Sequence, residues 1–243
     1  MKAKFLFLKN NLYHIFLLYI CCQILKGIAL QFPYNYICIE GNIGAGKTTF
    51  CNQLKEEYNC RLILEEFADN PFLPLFYKDP ERFAFTVELF FMTERHKQMQ
   101  KTLLNQDLFK EFTVSDYAFV KTLLFARKNL PEDEFRLFQK MFSVLNQSFP
   151  KPDILVYFHR TVDILLENIK KRNREYEKDI SGEYLTQIQN SYFEYFRNIL
   201  SYPILIIDLN TLDFKENPHH YEHVKYLISK PYQPGVHRIS LVV

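Results

Sequence analysis

Five short apolar runs divide the chain: YICIE (36–40), RLILE (61–65), FTVSD (112–116), ILVYFH (154–159) and ILIID (204–208). Runs this short and this apolar read as strands buried on both faces. Between them lie longer stretches of helical pattern at 47–58, 80–104, 117–128, 131–149, 161–172, 182–200 and 218–230. Pro131 suits the first turn of its helix. Strand alternating with helix predicts an α/β fold, a five-stranded parallel sheet with helices on both faces. Residues 231–243 carry no assignable element.

Ligands of such sheets bind outside the carboxyl ends of the strands. Runs end in an acid or a histidine, among them Glu40, Glu65, Asp116 and His159. Glu65 is followed at once by Glu66. An acidic pair at the end of a buried strand is costly unless something there uses it.

Composition narrows the class. With 48% hydrophobic and 24% charged residues in 243, the chain is globular and long enough for one sizeable core. A net charge of +2 gives no electrostatic case for nucleic acid. Cys21, Cys22, Cys38, Cys51 and Cys60 show no C-x-x-C spacing, which reads as reduced thiols in a cytoplasmic protein without a zinc site.

The first thirty residues, MKAKFLFLKNNLYHIFLLYICCQILKGIAL, stand apart. Lys2 and Lys4 precede apolar residues as in a signal peptide. Lys9, Asn10 and Asn11 interrupt the run, and the remainder, 12–22, is shorter than the roughly 20 residues of a spanning helix. No small-x-small cleavage site follows. Three readings stand: an interfacial anchor, a signal-like leader, or a stretch translated upstream of the true start. The third is favoured, because a complete domain begins just after it. The expected organisation is an extension over 1–34, a catalytic domain over 35–230 and a tail over 231–243. Membrane contact is expected only if the extension is retained.

The first strand runs into GNIGAGKT (41–48), the P-loop pattern G-x-x-x-x-G-K-[ST] between a strand and a helix. Backbone N–H groups of Gly41, Asn42, Ile43, Gly44, Ala45, Gly46, Lys47, Thr48 and Thr49 would wrap the phosphates at a helix N-terminus. Lys47 would reach the β- and γ-phosphates and Thr48 would hold Mg²⁺. The motif specifies a nucleoside triphosphate. It leaves the acceptor open: water, a protein or a small molecule.

Two further groupings are ambiguous on their own. Glu88 and Arg95 lie seven apart on one helix face with Ala84 and Phe91. They either read the edge of a nucleobase or form an ion pair. Lys170, Lys171, Arg172 and Arg174 form a basic run, which is usually a solvated face.

Five segments in order resemble the deoxynucleoside kinase family, particularly its bacterial deoxyadenosine/deoxyguanosine branch. They are YICIEGNIGAGKTTF, EEFADNPFLPLFYKDPERFAFTVELFFMTER, SDYAFVKTLLFAR, KRNREYEKDISGEYL and DLNTLDF, and they span about 36–230. The resemblance implies a three-layer P-loop kinase fold with a small lid, ATP and Mg²⁺ as cofactors, a small-molecule deoxynucleoside as acceptor, and a homodimer built on helices. It implies that Glu65 is the general base toward the nucleoside 5′-hydroxyl, with Glu66 facing the other way. Tyr77 and Glu177 match the pair that meets the sugar 3′-hydroxyl, where a crowding tyrosine leaves no room at the 2′ position. Glu88 and Arg95 fall where the family reads the base. Glu88 replaces a glutamine of many members, and as an ionised acceptor it would favour bases that offer N–H groups. Ser115-Asp116-Tyr117 replaces the acid-Arg-Ser of most relatives. Asp116 is then a candidate for ordering Mg²⁺, and the usual arginine is missing. Lys121 stands where some relatives carry an acid that contacts the base, which argues against a pyrimidine pocket. Arg172 and Arg174 match the lid that closes over ATP, and Asp213 and Phe214 match the loop near its adenine.

The implied activity is ATP-dependent phosphorylation of a deoxynucleoside, with purines favoured. A nucleoside monophosphate kinase shares the P-loop but would need extra basic residues for its acceptor phosphate. A non-catalytic P-loop protein should have lost Lys47, Thr48 or Glu65. A GTPase would need D-x-x-G and N/T-K-x-D motifs, and neither is in place.

Overall fold

The computed structural model describes residues 30–66, 70–103 and 109–240. Contacts divide the chain into 1–33 and 34–243, and the strands and helices described belong to the second unit. Nearly all of the 1–34 extension therefore lies outside the described residues.

The strands are β1 (Tyr36–Gly41), β2 (Arg61–Ile63), β3 (Thr113–Ser115), β4 (Ile154–His159), β5 (Pro203–Asp208) and β6 (Gly235–Ser240). All neighbours pair in parallel, in the order β2-β3-β1-β4-β5-β6. Among the described residues the sheet thus has six strands where the apolar runs predict five. The sixth comes from the unassigned tail. It is an edge strand whose residues alternate half-buried and exposed, so GVHRIS contains no apolar run to betray it. β1 is buried along its whole length, because helices cover both faces.

Adjacent residues of β4 show the three layers. Tyr157 packs on one face against Tyr192 and Phe196 of α7 (Gly182–Arg197). Phe158 packs on the other against Phe50 of α1 (Lys47–Glu57), and Phe50 in turn meets Tyr221 of α8 (Pro218–Ile228). A second apolar cluster lies beyond the β2 edge. Val87, Met92 and Met99 of α3 (Pro80–Leu103) join Phe135, Phe138 and Phe142 of α5 (Glu132–Asn146).

The remaining helices are α2 (Leu73–Lys78), α4 (Lys121–Asn129) and α6 (Val162–Arg172), with a 3₁₀ turn at Glu175–Glu177. Six-residue α2 was not anticipated, being too short for a period to show. Pro131 sits just before α5 with an extended ψ of 159°, one position outside the first turn expected for it. β2 stops at Ile63 and β3 at Ser115, so Glu65 and Asp116 stand beyond their strands, in the loops over the sheet's carboxyl edge. β1 sits at the switch point. The chain leaves it for β2 on one side and later crosses to β4 on the other, opening a crevice at its carboxyl end.

Candidate active site

The P-loop bridges β1 and α1, and its glycines fit because nothing larger would. Gly46 holds φ +93°, and a Cβ there would lie 2.9 Å from the Phe214 ring. Gly44 holds φ +81°, and a Cβ there would lie 2.8 Å from the Leu165 carbonyl oxygen. Both φ values lie where residues with a Cβ are strained. Asn168 of α6 donates to Gly44 O at 2.9 Å, and Asn42 donates to Leu185 O at 2.8 Å. Buried Arg160 donates to Ala45 O, Leu209 O and Leu212 O, tying the loop to the segment after β5. Beneath the loop, buried Glu40 accepts from Gly41 N, Ala118 N and the Tyr192 hydroxyl. It joins the end of β1, the loop after β3 and α7, and its burial raises its pKa.

Lys47 donates to Gly41 O at 2.8 Å and Asn42 O at 2.9 Å. Burial and the nearby charge of Lys121 bring its pKa down to about 8, against the pull of Glu40, Glu65 and Asp116. Thr48 Oγ1 donates to Asp116 Oδ2 at 2.5 Å, and Asp116 Oδ1 accepts from Glu65 N at 2.7 Å. One carboxylate thereby links the P-loop to the loop after β2.

Glu65 and Glu66 are split as the register implies. Glu65 is buried, while Glu66 is exposed and accepts from Gln98 Nε2 at 3.1 Å. Glu65 Oε1 accepts from Arg95 Nε and Nη2, and Oε2 accepts from Lys121 Nζ. Burial pushes its pKa up, but Lys121 and Arg95 prevail and hold it at about 2.

Glu88 and Arg95 share the cleft face of α3 but do not pair with each other. Arg95 turns to Glu65, donates through Nη1 to Thr122 Oγ1 at 2.9 Å, and lies over the Phe91 ring. Glu88 Oε1 instead accepts from Asn129 Nδ2 at 2.6 Å, and burial pushes its pKa up to about 7.

The lid segment closes the far side. Asn173, at φ 54° and ψ 41°, ends α6 in the left-handed region and turns the chain into the 3₁₀ helix. That turn brings Arg172 Nη2 to Glu177 Oε2 at 2.5 Å and Arg174 Nη1 to Glu177 Oε1 at 3.4 Å. Tyr77 of α2 lines the same cleft, its pKa raised by burial and by Tyr184 and Glu177.

One cleft therefore gathers Ile43, Gly44, Lys47, Thr48, Glu65, Tyr77, Glu88, Arg95, Asp116, Arg172, Arg174 and Glu177. It does not gather Asp213 and Phe214. The Phe214 ring is packed under α1 against Phe50 and Phe158, so it has no face to offer a nucleobase. Asp213 Oδ1 caps its own turn, accepting from Lys215 N and Glu216 N. Lys121 and Asn129 were missed as partners of the two cleft acids. Their signal was available: Lys121, Phe125 and Asn129 recur every four residues on α4, one stripe facing the cleft.

Among the described residues, no group of three or more His, Cys, Asp or Glu side chains is placed to hold a metal. Thr48 and Asp116 are hard oxygen donors side by side. They fit Mg²⁺, which keeps several waters and leans on phosphate oxygens. No helix among the described residues is long and apolar enough to cross a membrane.

Residues 37–231 match the family described as Deoxynucleoside kinase. The chain is 32% identical over 201 residues to the deoxyguanosine kinase of Bacillus subtilis (strain 168), covering 79% of this chain and 97% of that protein. It is 32% identical over 181 residues to the deoxyadenosine kinase of Dictyostelium discoideum, covering 74% of each. The structure of deoxyadenosine kinase from M. mycoides with bound dATP shares the fold, with a TM-score of 0.69 at 22% identity over 80% of this chain and all of that one.

Proposed function

This chain belongs to the deoxynucleoside kinase family, and from that premise we propose that it transfers the γ-phosphoryl group of ATP to the 5′-hydroxyl of a purine deoxynucleoside. The observation that carries the reading is the Thr48–Asp116–Glu65 connection, which joins the phosphate cradle to a buried carboxylate in the same cleft.

Phosphoryl transfer demands alignment and charge neutralisation more than covalent chemistry from the protein. The P-loop amides and Lys47 hold the donor phosphates. Lys47 leaves the carbonyls of Gly41 and Asn42 for phosphate oxygens, whose charge restores its full protonation. Thr48 and Asp116 would hold Mg²⁺, which would supply positive charge to the phosphates. Glu65 accepts a hydrogen bond from the 5′-hydroxyl and aims that oxygen at the γ-phosphorus. A carboxylate held at about 2 is a weak base. It takes the proton late, once the forming P–O bond has acidified the hydroxyl. Arg172 and Arg174 lie on the lid, where guanidinium groups reach the transferring phosphoryl. Tyr77 and Glu177 meet the sugar 3′-hydroxyl, and the Tyr77 ring crowds the 2′ position. Glu88 reads the base.

The acceptor end suits an uncharged molecule. Arg95 and Lys121 are both engaged by Glu65. A monophosphate acceptor would need cations held for its phosphate. A homodimer and a cytoplasmic setting complete the proposal.

The test is product analysis by ³¹P NMR with ATP, Mg²⁺ and deoxyguanosine or deoxyadenosine. The expected result is one ADP and one 5′-monophosphate per turnover. Phosphate release to water alone, or a 3′-phosphate, refutes the reading.

A further inference from the structure

Glu88 has an incomplete set of hydrogen bonds. Its Oε1 accepts from Asn129, but its Oε2 is buried with no partner among the described residues. A buried oxygen without a donor is costly, and a ligand that completed it would be favoured. The side chain lines the cleft beside Tyr77, Asn129 and Tyr184.

We infer that Glu88 chooses between the two purines by its protonation state, ionised for guanine and neutral for adenine. The inference rests on reading the cleft as a purine deoxynucleoside site. An ionised carboxylate only accepts, whereas a neutral carboxyl offers one donor and one acceptor. Guanine presents N1–H and N2–H side by side, two donors for two carboxylate oxygens. Adenine presents N6–H beside a bare ring nitrogen. That ring nitrogen repels the second oxygen of an anion but accepts from a neutral carboxyl.

The surroundings fix where the proton sits. The Asn129 amide hydrogen occupies Oε1, so a proton on Glu88 resides on Oε2, the unpartnered atom. Burial holds the acid near 7 in spite of Arg95 and Asn129, so both forms are populated around neutrality. Of the other groups that face it, ionised Glu65 raises its pKa and Lys121 lowers it. Tyr77 and Tyr184 have their own pKa values raised and stay neutral over this range.

The experiment is the ratio of kcat/KM for deoxyguanosine over deoxyadenosine, measured from about pH 6 to about pH 8 at saturating MgATP. Neither base titrates in that interval. Both substrates share the P-loop, Glu65 and the lid, so titrations elsewhere cancel in the ratio. The ratio is expected to rise about tenfold, the scale of one well-placed base contact, with its midpoint near 7. In Glu88→Gln it is expected to be flat and adenine-favouring, because an amide always offers one donor and one acceptor. A flat ratio in the parent, with Glu88→Gln still shifting preference, overturns the protonation switch and leaves Glu88 as the base reader. A parental pH dependence that survives in Glu88→Gln removes Glu88 as its source. No monophosphate from either purine overturns the proposed function itself.

Discussion

Arg95 grips a single oxygen of Glu65 with two nitrogens, Nε at 2.9 Å and Nη2 at 2.5 Å. The second oxygen is thereby left to Lys121. Two buried cations on one buried carboxylate fix its charge, its orientation and its weak basicity together.

Removing one partner of such a buried cluster exposes what it does. Glu65 has a depressed pKa, so its stabilising effect is present above the ordinary 4.5 and is lost as pH falls toward 2. Lys121→Gln is expected to cost about 3 kcal/mol in urea unfolding at pH 7. It should also move the acid limb of the kcat/KM profile upward, because Glu65 then protonates more easily. Lys121→Arg should restore the limb. An acid limb that stays in place in Lys121→Gln contradicts the coupling.

Glu65→Gln keeps the shape but accepts no proton. Its kcat is expected to fall by about 10²–10⁴. Exposed Glu66, touched by Gln98, should tolerate the same change within about twofold. Steady-state kinetics on both variants decides the matter, and equal losses would refute the assignment of the base.

Asp116 has two tasks, accepting from Thr48 and accepting from the Glu65 backbone. In Asp116→Asn the Mg²⁺ concentration for half-maximal rate should rise about tenfold or more, the scale seen when a metal site loses an orienting group. Titrating Mg²⁺ at fixed ATP measures it. An unchanged requirement means the metal is held elsewhere.

Glu88 makes a stability prediction of opposite sign to Glu65. Its raised pKa means the folded protein holds a proton that the unfolded chain has released between 4.5 and about 7. Stability therefore falls as pH rises through that window. The gap corresponds to about 3 kcal/mol. Glu88→Gln should be more stable than the parent at pH 8 by about that amount, and nearly equal to it at pH 4.5. Paired thermal melts at the two values test this. A constant difference between them would contradict the buried, partly protonated carboxyl.

The sheet was legible wherever covering helices force an unbroken apolar run, as in ILVYFH and ILIID. It was illegible at β6, because an edge strand pairs on one side and leaves Val236, Arg238 and Ser240 exposed. The P-loop was legible because its spacing encodes a backbone shape. Glu65 was distinguishable from Glu66 through its register against the family's motifs. The partners were harder to see. A carboxylate chooses its cations in three dimensions, so Arg95 fell to Glu65, thirty residues away, and Glu88, on the same helix face, turned to Asn129. Phe214 matched a nucleotide-loop motif yet serves the core, because Gly46 above it leaves room for a ring.

The central claim is transfer from ATP to a purine deoxynucleoside. Steady-state kcat/KM for deoxyguanosine, deoxyadenosine, deoxycytidine and thymidine, with ATP and Mg²⁺ on the full chain at pH 7, tests it most directly. 5′-Monophosphate is expected from both purines, each at least about tenfold better than either pyrimidine. Thymidine or deoxycytidine outrunning both purines would contradict the base-reading role of Glu88, and no monophosphate from any of the four would contradict the account as a whole.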